Sequence, residues 1–422
     1  MNIKGGNIKG GALDINNVFV VGAGYMGNGI AQMAALVGYR VKMHDIDEER
    51  IALGVAEIRR SLGLFLSKGK IDQKTYDSTL EHITTTNDLT EARDADLSIE
   101  AITEDLKLKK EVFERLDQVC PPHALLATNT SAIPISSIAS ATSRPERVVG
   151  IHFFGPVPIM RLVEIIRGVL TSDETMEAAD HWVKTLGKET VLVQRDIAGF
   201  IANRINMPAT LEAVRMVDEG FATPEEVDLA ATLGQNPSVG PLIIMDNAGV
   251  DVAVRAALAI YNDTGDPKFF PPPLLRRMMA AGLLGRKSGR GFYDYSSGER
   301  RGYDLVKGNS FRWKKETEEE RQERERRISY RFLLAVILEA LRMLEAAVAT
   351  PEDIDKATVL GFNFPLGPLQ LADIFGLDVV MDEALAIYND TGDPKFFPPP
   401  LLRRMVAAGL LGRKSGRGFY QY

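Results

Sequence analysis

Val18 to Val21 is a short apolar run, VFVV, that passes directly into the glycine-rich stretch GAGYMG. Gly22, Gly24 and Gly27 make a G-x-G-x-x-G pattern, and an apolar helical spacing continues through Ile30, Met33, Ala34 and Val37. Gly38 ends that helix, and Tyr39 to His44 reads as the next strand, with Asp45 at its end. This strand–turn–helix–strand order leaves few folds open, because parallel strands joined by a helix need a layered α/β sheet. Gly22 permits the tight turn, Gly24 lets backbone approach a pyrophosphate, and Gly27 lets the helix pack on the strand. Tyr25 and Met26 lie in the same turn and count with the glycines as cofactor-binding positions. Asp45, 18 residues beyond Gly27, stands where a carboxylate takes both ribose hydroxyls. No arginine follows directly to receive a 2′-phosphate, so the pattern predicts NAD rather than NADP.

The strands continue at Leu97–Ile102 (LSIEAI), at Ala124–Thr128, which runs into NTSAIPI, and at Val148–Phe153. Ligands of such sheets bind at the carboxyl ends of the strands. That places Asn129, Thr130 and Ser131, otherwise a turn and helix cap, at the ligand edge, together with His152. The run from Ile151 to Ile166 reads IHFFGPVPIMRLVEII. Pro156 and Pro158 forbid a continuous helix, so the run is a strand, a turn and a second strand or helix start. That shape can fold Glu164 back on His152. A buried imidazole beside a carboxylate is a general base held in one tautomer. Alone, His152 would read as a core histidine bonded to a carbonyl; its place at the strand ends makes it a candidate base. Residues 47–80 read as a charged helical hairpin, whose Arg59, Arg60, Lys68 and Lys70 are either a solvated face or a basic lip for an anionic ligand.

Composition excludes several other classes. With 45% hydrophobic and 25% charged residues and a net charge of −7, the chain is a globular protein whose overall field does not favour nucleic acid. Cys120, the single cysteine, rules out an intrachain disulfide, and no ligand pair has metal-site spacing. No apolar stretch is long enough to span a membrane, and no signal peptide is evident, so a cytoplasmic location is expected. Residues 1–14 read as a disordered tail.

The pieces VVGAGYMGNGIA, IEAITEDLKLK, ATNTSAIPI, IHFFGPVPIMRLVEII, GFIANRINMP and LGRKSGRGFY run in the order found in L-3-hydroxyacyl-CoA dehydrogenases, which the chain resembles from about residue 16 onward. The resemblance implies that His152 is the base, Glu164 its partner, and Ser131 and Asn203 the polar groups on the substrate oxygen. It implies further cofactor contacts from Glu104, Lys109 and Lys287, with Asn129 between nicotinamide and substrate. Ser61 and Lys68 fall where the family meets CoA. The implied reaction is reversible NAD-dependent oxidation of a (S)-3-hydroxyacyl-CoA, as in β-oxidation of fatty acids. One departure stands out: Gly155 occupies the place of the family's usual asparagine, and a polar group near the base is lost.

From Asp196 onward a module occurs twice, offset by 127 residues; segment 257–293 repeats as 384–420 except for Met279 against Val406. TPEEVD (223–228) pairs with TPEDID (350–355), and Gly240-Pro241 with Gly367-Pro368. Each copy reads as helical, opening with a long helix at 201–219 and 328–346. Asn203 aligns with Tyr330, so only the first copy keeps the polar residue. The predicted architecture is a Rossmann-type NAD-binding domain (15–195), a helical domain (196–295), a charged linker (296–325) and a second helical domain (326–422). Single-copy relatives dimerise through this domain, so the second copy is expected to replace a partner's domain within one chain, as a monomer or a dimer of such pseudodimers. The charged segment could dock another enzyme, since relatives occur fused to enoyl-CoA hydratase. Two competing functions are a dehydrogenase of a free hydroxy acid or sugar acid such as L-gulonate, and a non-catalytic structural protein on the same fold.

Overall fold

The computed structural model describes residues 14–232, 240–302 and 316–422. The expected tail, but for Asp14, and the middle of the expected linker, 303–315, lie outside the described residues. The chain divides into two compact units, one through Phe200 together with Leu360–Asn363, the other comprising 201–359 and 364–422.

The first unit is built on one sheet of eight strands: β1 (Asn17–Val21), β2 (Arg40–His44), β3 (Ile83–Thr86), β4 (Leu97–Glu100), β5 (Leu125–Thr128), β6 (Val148–Phe153), β7 (Leu162–Arg167) and β8 (Glu189–Val193). Their order is β3-β2-β1-β4-β5-β6-β7-β8, and every pairing is parallel except β6 with β7. Strands β4, β5 and β6 are buried at every residue, as near-continuous apolar runs must be when helices cover both faces. The helices are α1 (Tyr25–Leu36), α2 (Glu48–Ser67), α3 (Gln73–Glu81), α4 (Leu106–Val119), α5 (Ile135–Ala139) and α6 (Asp173–Thr185). Asp47, Asp72, Asp105 and Ser172 accept a backbone N–H at the starts of α2, α3, α4 and α6, which fixes where each helix begins. The predicted β-α-β entry and the helical hairpin of 47–80 are therefore found as expected.

The second unit holds both copies of the repeat, apart from Leu360–Asn363 of copy two. Copy one contributes α7 (Ala202–Asp218), α8 (Pro224–Ala231), α9 (Pro241–Ala248), α10 (Val250–Thr264) and α11 (Pro273–Ala280). Copy two contributes α12 (Glu318–Glu345), α13 (Pro351–Phe362), α14 (Pro368–Phe375), α15 (Leu377–Thr391) and α16 (Pro400–Ala407). Helix α12 starts at Glu318 rather than at 328, inside the stretch expected to be linker. Thr317 and Glu320 form a capping box there, and Arg321–Glu318 and Arg326–Glu323 pair along the helix, which supports a charged first half in water.

Helices α7 and α12 face one another, and four ion pairs cross between the copies reciprocally. Glu212 of copy one meets Lys395 (2.9 Å) and Arg331 (2.5 Å) of copy two. Its counterpart Glu339 meets Lys268 (3.0 Å) and Arg204 (3.3 Å) of copy one. Residue i touching j while the copy of j touches the copy of i is the signature of a two-fold relation. Both glutamates are buried, and each is offset by two cations from the other copy and a third, Arg215 or Arg342, from its own helix.

Within each copy the segment LGRKSGRGFY is folded onto an aspartate. Asp246 accepts the N–H groups of Phe292 (2.9 Å) and Tyr293 (3.0 Å), and Asp373 those of Phe419 (3.0 Å) and Tyr420 (2.9 Å). Gly291 and Gly418 lie so close to these carboxylates that a Cβ would come within 1.9 Å of Oδ1. Among the described residues no helix is long and apolar enough to cross a membrane.

Candidate active site

The antiparallel pairing of β6 with β7 sets His152 opposite Glu164 in register. The two prolines between them close the turn, and the imidazole Nδ1 lies 2.7 Å from Glu164 Oε2. Both side chains are buried, 7% and 0% exposed. The rings of Phe154 and Phe200 stand 4.6 and 5.6 Å from the imidazole. With Nδ1 committed to the carboxylate, Nε2 is the nitrogen left to exchange a proton.

Asn129 follows β5 and its Oδ1 accepts the N–H of Phe153 at 2.9 Å. This ties the NTS turn to the residue beside the base and leaves the amide's N–H donors for a ligand. Glu104 organises the rest of that turn. Its Oε1 takes the hydroxyl of Thr130 (2.6 Å), the N–H of Ser131 (2.8 Å) and the hydroxyl of Ser131 (3.2 Å). Burial alone would raise the Glu104 carboxyl, but Lys109, with the Thr130 and Ser131 bonds, outweighs it and holds the group below the usual range. Lys109 is 1% exposed, with Nζ 2.6 Å from Glu100 and 3.2 Å from Glu104. Glu100, wholly buried, also accepts Thr128 Oγ1 at 2.7 Å and the N–H of Ile102 at 2.7 Å. Lys109 and Glu104 thus sit in a carboxylate–ammonium cluster under the NTS turn, which Glu104 touches directly and Lys109 through Glu104. Glu100, the centre of that cluster, went unmarked in the sequence; its one signal was an acid inside the strand LSIEAI.

The dinucleotide turn fits the group expected of it. Gly22 has φ +107° and a Cβ there would meet Ala101 O at 2.7 Å; at Gly27 one would meet Gly22 O at 1.8 Å. At Gly24, by contrast, nothing lies within 4 Å, so backbone at the start of α1 is open to an approaching phosphate. Asp45 accepts the N–H of Ala23 (2.8 Å) and of Ile46 (2.8 Å), which aims its carboxylate beside the turn. A cavity of about 380 Å³ runs past these residues, lined by Gly24, Tyr25, Asp45, Arg60, Ser61 and Val157 among others. Tyr25 leans on Gly155, where a Cβ would come within 2.5 Å of the phenol ring. Met26 lies in the same turn, half-buried. Lys68, exposed at the end of α2, is outside this lining.

Asn203 and Lys287 belong to the helical unit. Asn203 is in the first turn of α7, half-buried. Lys287 is ion-paired with Asp251, and the copy-two counterpart Lys414 with Asp378. Its local partner therefore recurs in the copy that follows no dinucleotide domain. Among the described residues no group of three His, Cys, Asp or Glu side chains could hold a metal ion.

Comparison with known proteins places the chain in a family. Residues 17–197 match the family profile "3-hydroxyacyl-CoA dehydrogenase, NAD binding domain". Residues 199–295 and again 328–422 match "3-hydroxyacyl-CoA dehydrogenase, C-terminal domain". A probable 3-hydroxybutyryl-CoA dehydrogenase of Bacillus subtilis is 44% identical over 283 residues, covering 67% of this chain and 98% of that protein. The mitochondrial hydroxyacyl-coenzyme A dehydrogenase of Sus scrofa is 38% identical over 288 residues, 67% of this chain and 91% of that protein. The crystal structure of 3-hydroxybutyryl-CoA dehydrogenase from Escherichia coli K12 superposes with a TM-score of 0.84 at 29% identity, covering 94% of this chain and 99% of that one. With both profiles matched in order and the helical one matched twice, the chain belongs to the 3-hydroxyacyl-CoA dehydrogenase family.

Proposed function

We propose that the protein catalyses the reversible NAD-dependent oxidation of a (S)-3-hydroxyacyl-CoA to the 3-ketoacyl-CoA. The observation that carries this reading is the buried His152–Glu164 pair at the carboxyl edge of the sheet, with Nε2 left as the working nitrogen. His152 takes the proton of the 3-hydroxyl, and Glu164 stabilises the imidazolium as it forms. Gly22, Gly24, Gly27 and Asp45 would hold NAD, which would supply the acceptor for the hydride leaving C3. Ser131, held in place by Glu104, orients the reacting oxygen; Asn203 is assigned the same task from the helical unit. Asn129 spaces nicotinamide from substrate through its amide N–H groups. Ser61, on the cavity wall, and Lys68 receive the CoA moiety. Copy two takes the place of a partner subunit's helical domain, so each chain carries one base and one site.

The test is oxidation of NADH with acetoacetyl-CoA, followed by absorbance, beside oxidation of L-gulonate with NAD. Turnover of the thioester supports the reading. Turnover of L-gulonate alone gives the site to a free hydroxy acid, and turnover of neither leaves a structural protein. His152→Ala is expected to bind NAD as the wild type does and to lose turnover by orders of magnitude; undiminished turnover removes His152 as the base.

A further inference from the structure

The turn between β6 and β7 is gripped from two sides by residues that the mechanism leaves without a role. Pro156 O accepts the N–H groups of Ile159 (2.9 Å) and Met160 (3.0 Å), which closes the turn on itself. On one side Val157, 1% exposed, presses on helix α1 at Gly29. A Cβ on that glycine would come within 2.8 Å of Val157 Cβ and 3.3 Å of Pro158 Cδ. On the other side lies Lys188, just before β8 and 8% exposed. Its ammonium donates to Val157 O at 2.5 Å and to Met160 O at 2.8 Å.

The partners of this ammonium are unusual. Buried lysines are ordinarily paired with a carboxylate, as Lys109, Lys268 and Lys395 are in this protein. Lys188 has two backbone carbonyls instead. The charged groups nearest along the chain are engaged with each other: Arg161 with Glu189, and Lys184 with Asp180. Burial pushes the Lys188 ammonium down to about 8, and no charged group contributes to that shift. A charge held inside at that cost does work on the backbone it touches, and the backbone it touches is the wall of the site. Pro156, Val157 and Pro158 line the same cavity as Gly24, Asp45 and Ser61, and Phe154, at the start of the turn, stands against the His152 ring.

We propose that Lys188 is a positioning residue: it clamps the 154–161 turn against α1, so that one wall spans from the base to the dinucleotide turn and holds both ligands in register. What the wall contacts rests on the function proposed above; the clamp itself is a property of the free protein. Methionine at 188 keeps the volume but cannot donate, so two carbonyls lose a charge-assisted partner. Because the His152–Glu164 pair is fixed by the β6–β7 ladder, the loss falls on binding rather than on chemistry.

The experiment compares wild type, Lys188→Met and Lys188→Arg with NADH and acetoacetyl-CoA, and measures amide hydrogen exchange of each free protein. Lys188→Met is expected to raise KM for both ligands about ten-fold, the size of one strong hydrogen bond lost, with kcat held within about three-fold. Faster exchange is expected at residues 155–161 and not in β1, β4 or β5. Lys188→Arg, which still donates, restores most of the affinity. Unchanged KM, a loss carried by kcat, or faster exchange spread over the whole sheet overturns the proposal and makes Lys188 a core residue only. Should Lys188→Met not fold, Lys188→Arg decides: wild-type exchange at 155–161 supports the clamp, and exchange no slower than in unclamped surface loops rejects it. An inactive wild type would remove the proposed function and leave the exchange measurement to judge the clamp by itself.

Discussion

Glu164→Gln isolates the charge behind the base. Glutamine has the same length and can still accept from Nδ1 of His152, so the ring keeps its tautomer while the negative charge goes. That charge matters only when His152 has taken a proton. At the observed contact of 2.7 Å the charge centres are about 4 Å apart, and at an effective dielectric of about 20 their attraction is about 4 kcal/mol. The imidazole is slightly exposed and the amide dipole recovers part of the loss, which leaves about 2–3 kcal/mol on the barrier. At about 1.4 kcal/mol per factor of ten, kcat should fall roughly 30- to 140-fold. Steady-state reduction of NAD with (S)-3-hydroxybutyryl-CoA, the direction in which His152 takes the proton, measures it, with dinucleotide affinity followed by fluorescence titration as the control for an intact fold. Affinity should stay within about two-fold, because the Asp45 turn is untouched. A variant whose kcat lies within about three-fold of wild type would show that no charge develops on His152 in the slow step, and the paired-base mechanism would be wrong.

Three further outcomes are expected. Asp45→Ala releases the N–H of Ala23 and Ile46 and removes the ribose acceptor, so NAD affinity should drop by about ten-fold or more with no gain for NADPH, read by titration with either dinucleotide. Glu339→Ala leaves Lys268 and Arg204 without their shared partner in a buried interface and should cost about 3–5 kcal/mol, seen as an early loss of helical signal in urea. Burial pushes Asp228 up to about 7 in the folded chain, above the unfolded carboxylate. Its contribution to stability is therefore complete below pH ~4 and is lost as pH rises through about 7. Denaturation midpoints of wild type relative to Asp228→Asn should fall between pH 4 and 8 by an amount equivalent to about 1–4 kcal/mol; a difference that is flat with pH refutes the assignment.

The parts of the site that were legible in the sequence are those where spacing alone carries geometry. The strand–glycine turn–helix unit read correctly because each glycine answers a contact of backbone on backbone, at Gly22 and Gly27 especially. The two prolines after His152 predict a turn that can fold Glu164 back; whether a strand or a helix follows is open in the sequence, and the β6–β7 ladder makes it a strand. What the sequence does not show depends on partners far apart along the chain. Lys109 is marked by the resemblance as a cofactor contact, but its burial is not legible in the charged run KLKK; Glu100, nine residues before it in a strand, draws it inside. Lys188 follows a glycine in an ordinary loop, and only the fold brings the carbonyls of Val157 and Met160 to it. The cross-copy pairs were hidden in the same way. Glu212 and Glu339 look like solvent-facing acids of amphipathic helices until α7 and α12 face each other. The early start of α12 was obscured because a run of mixed charge reads equally as linker and as helix; Thr317 and Glu320 settle it.

The reciprocal ion pairs also bear on how such a chain can change. In a homodimer made of one gene product, any substitution at a two-fold interface enters twice, and both sites inherit it. Here Glu212 and Glu339 have the same kind of neighbours but separate codons, so each can be altered alone. Segments 257–293 and 384–420 remain nearly identical, while Asn203 and Tyr330 have parted. Covalent linkage has turned symmetry from a condition of assembly into a matter of choice at each position. One half can drift, or take on a different task, while the other continues to serve the site.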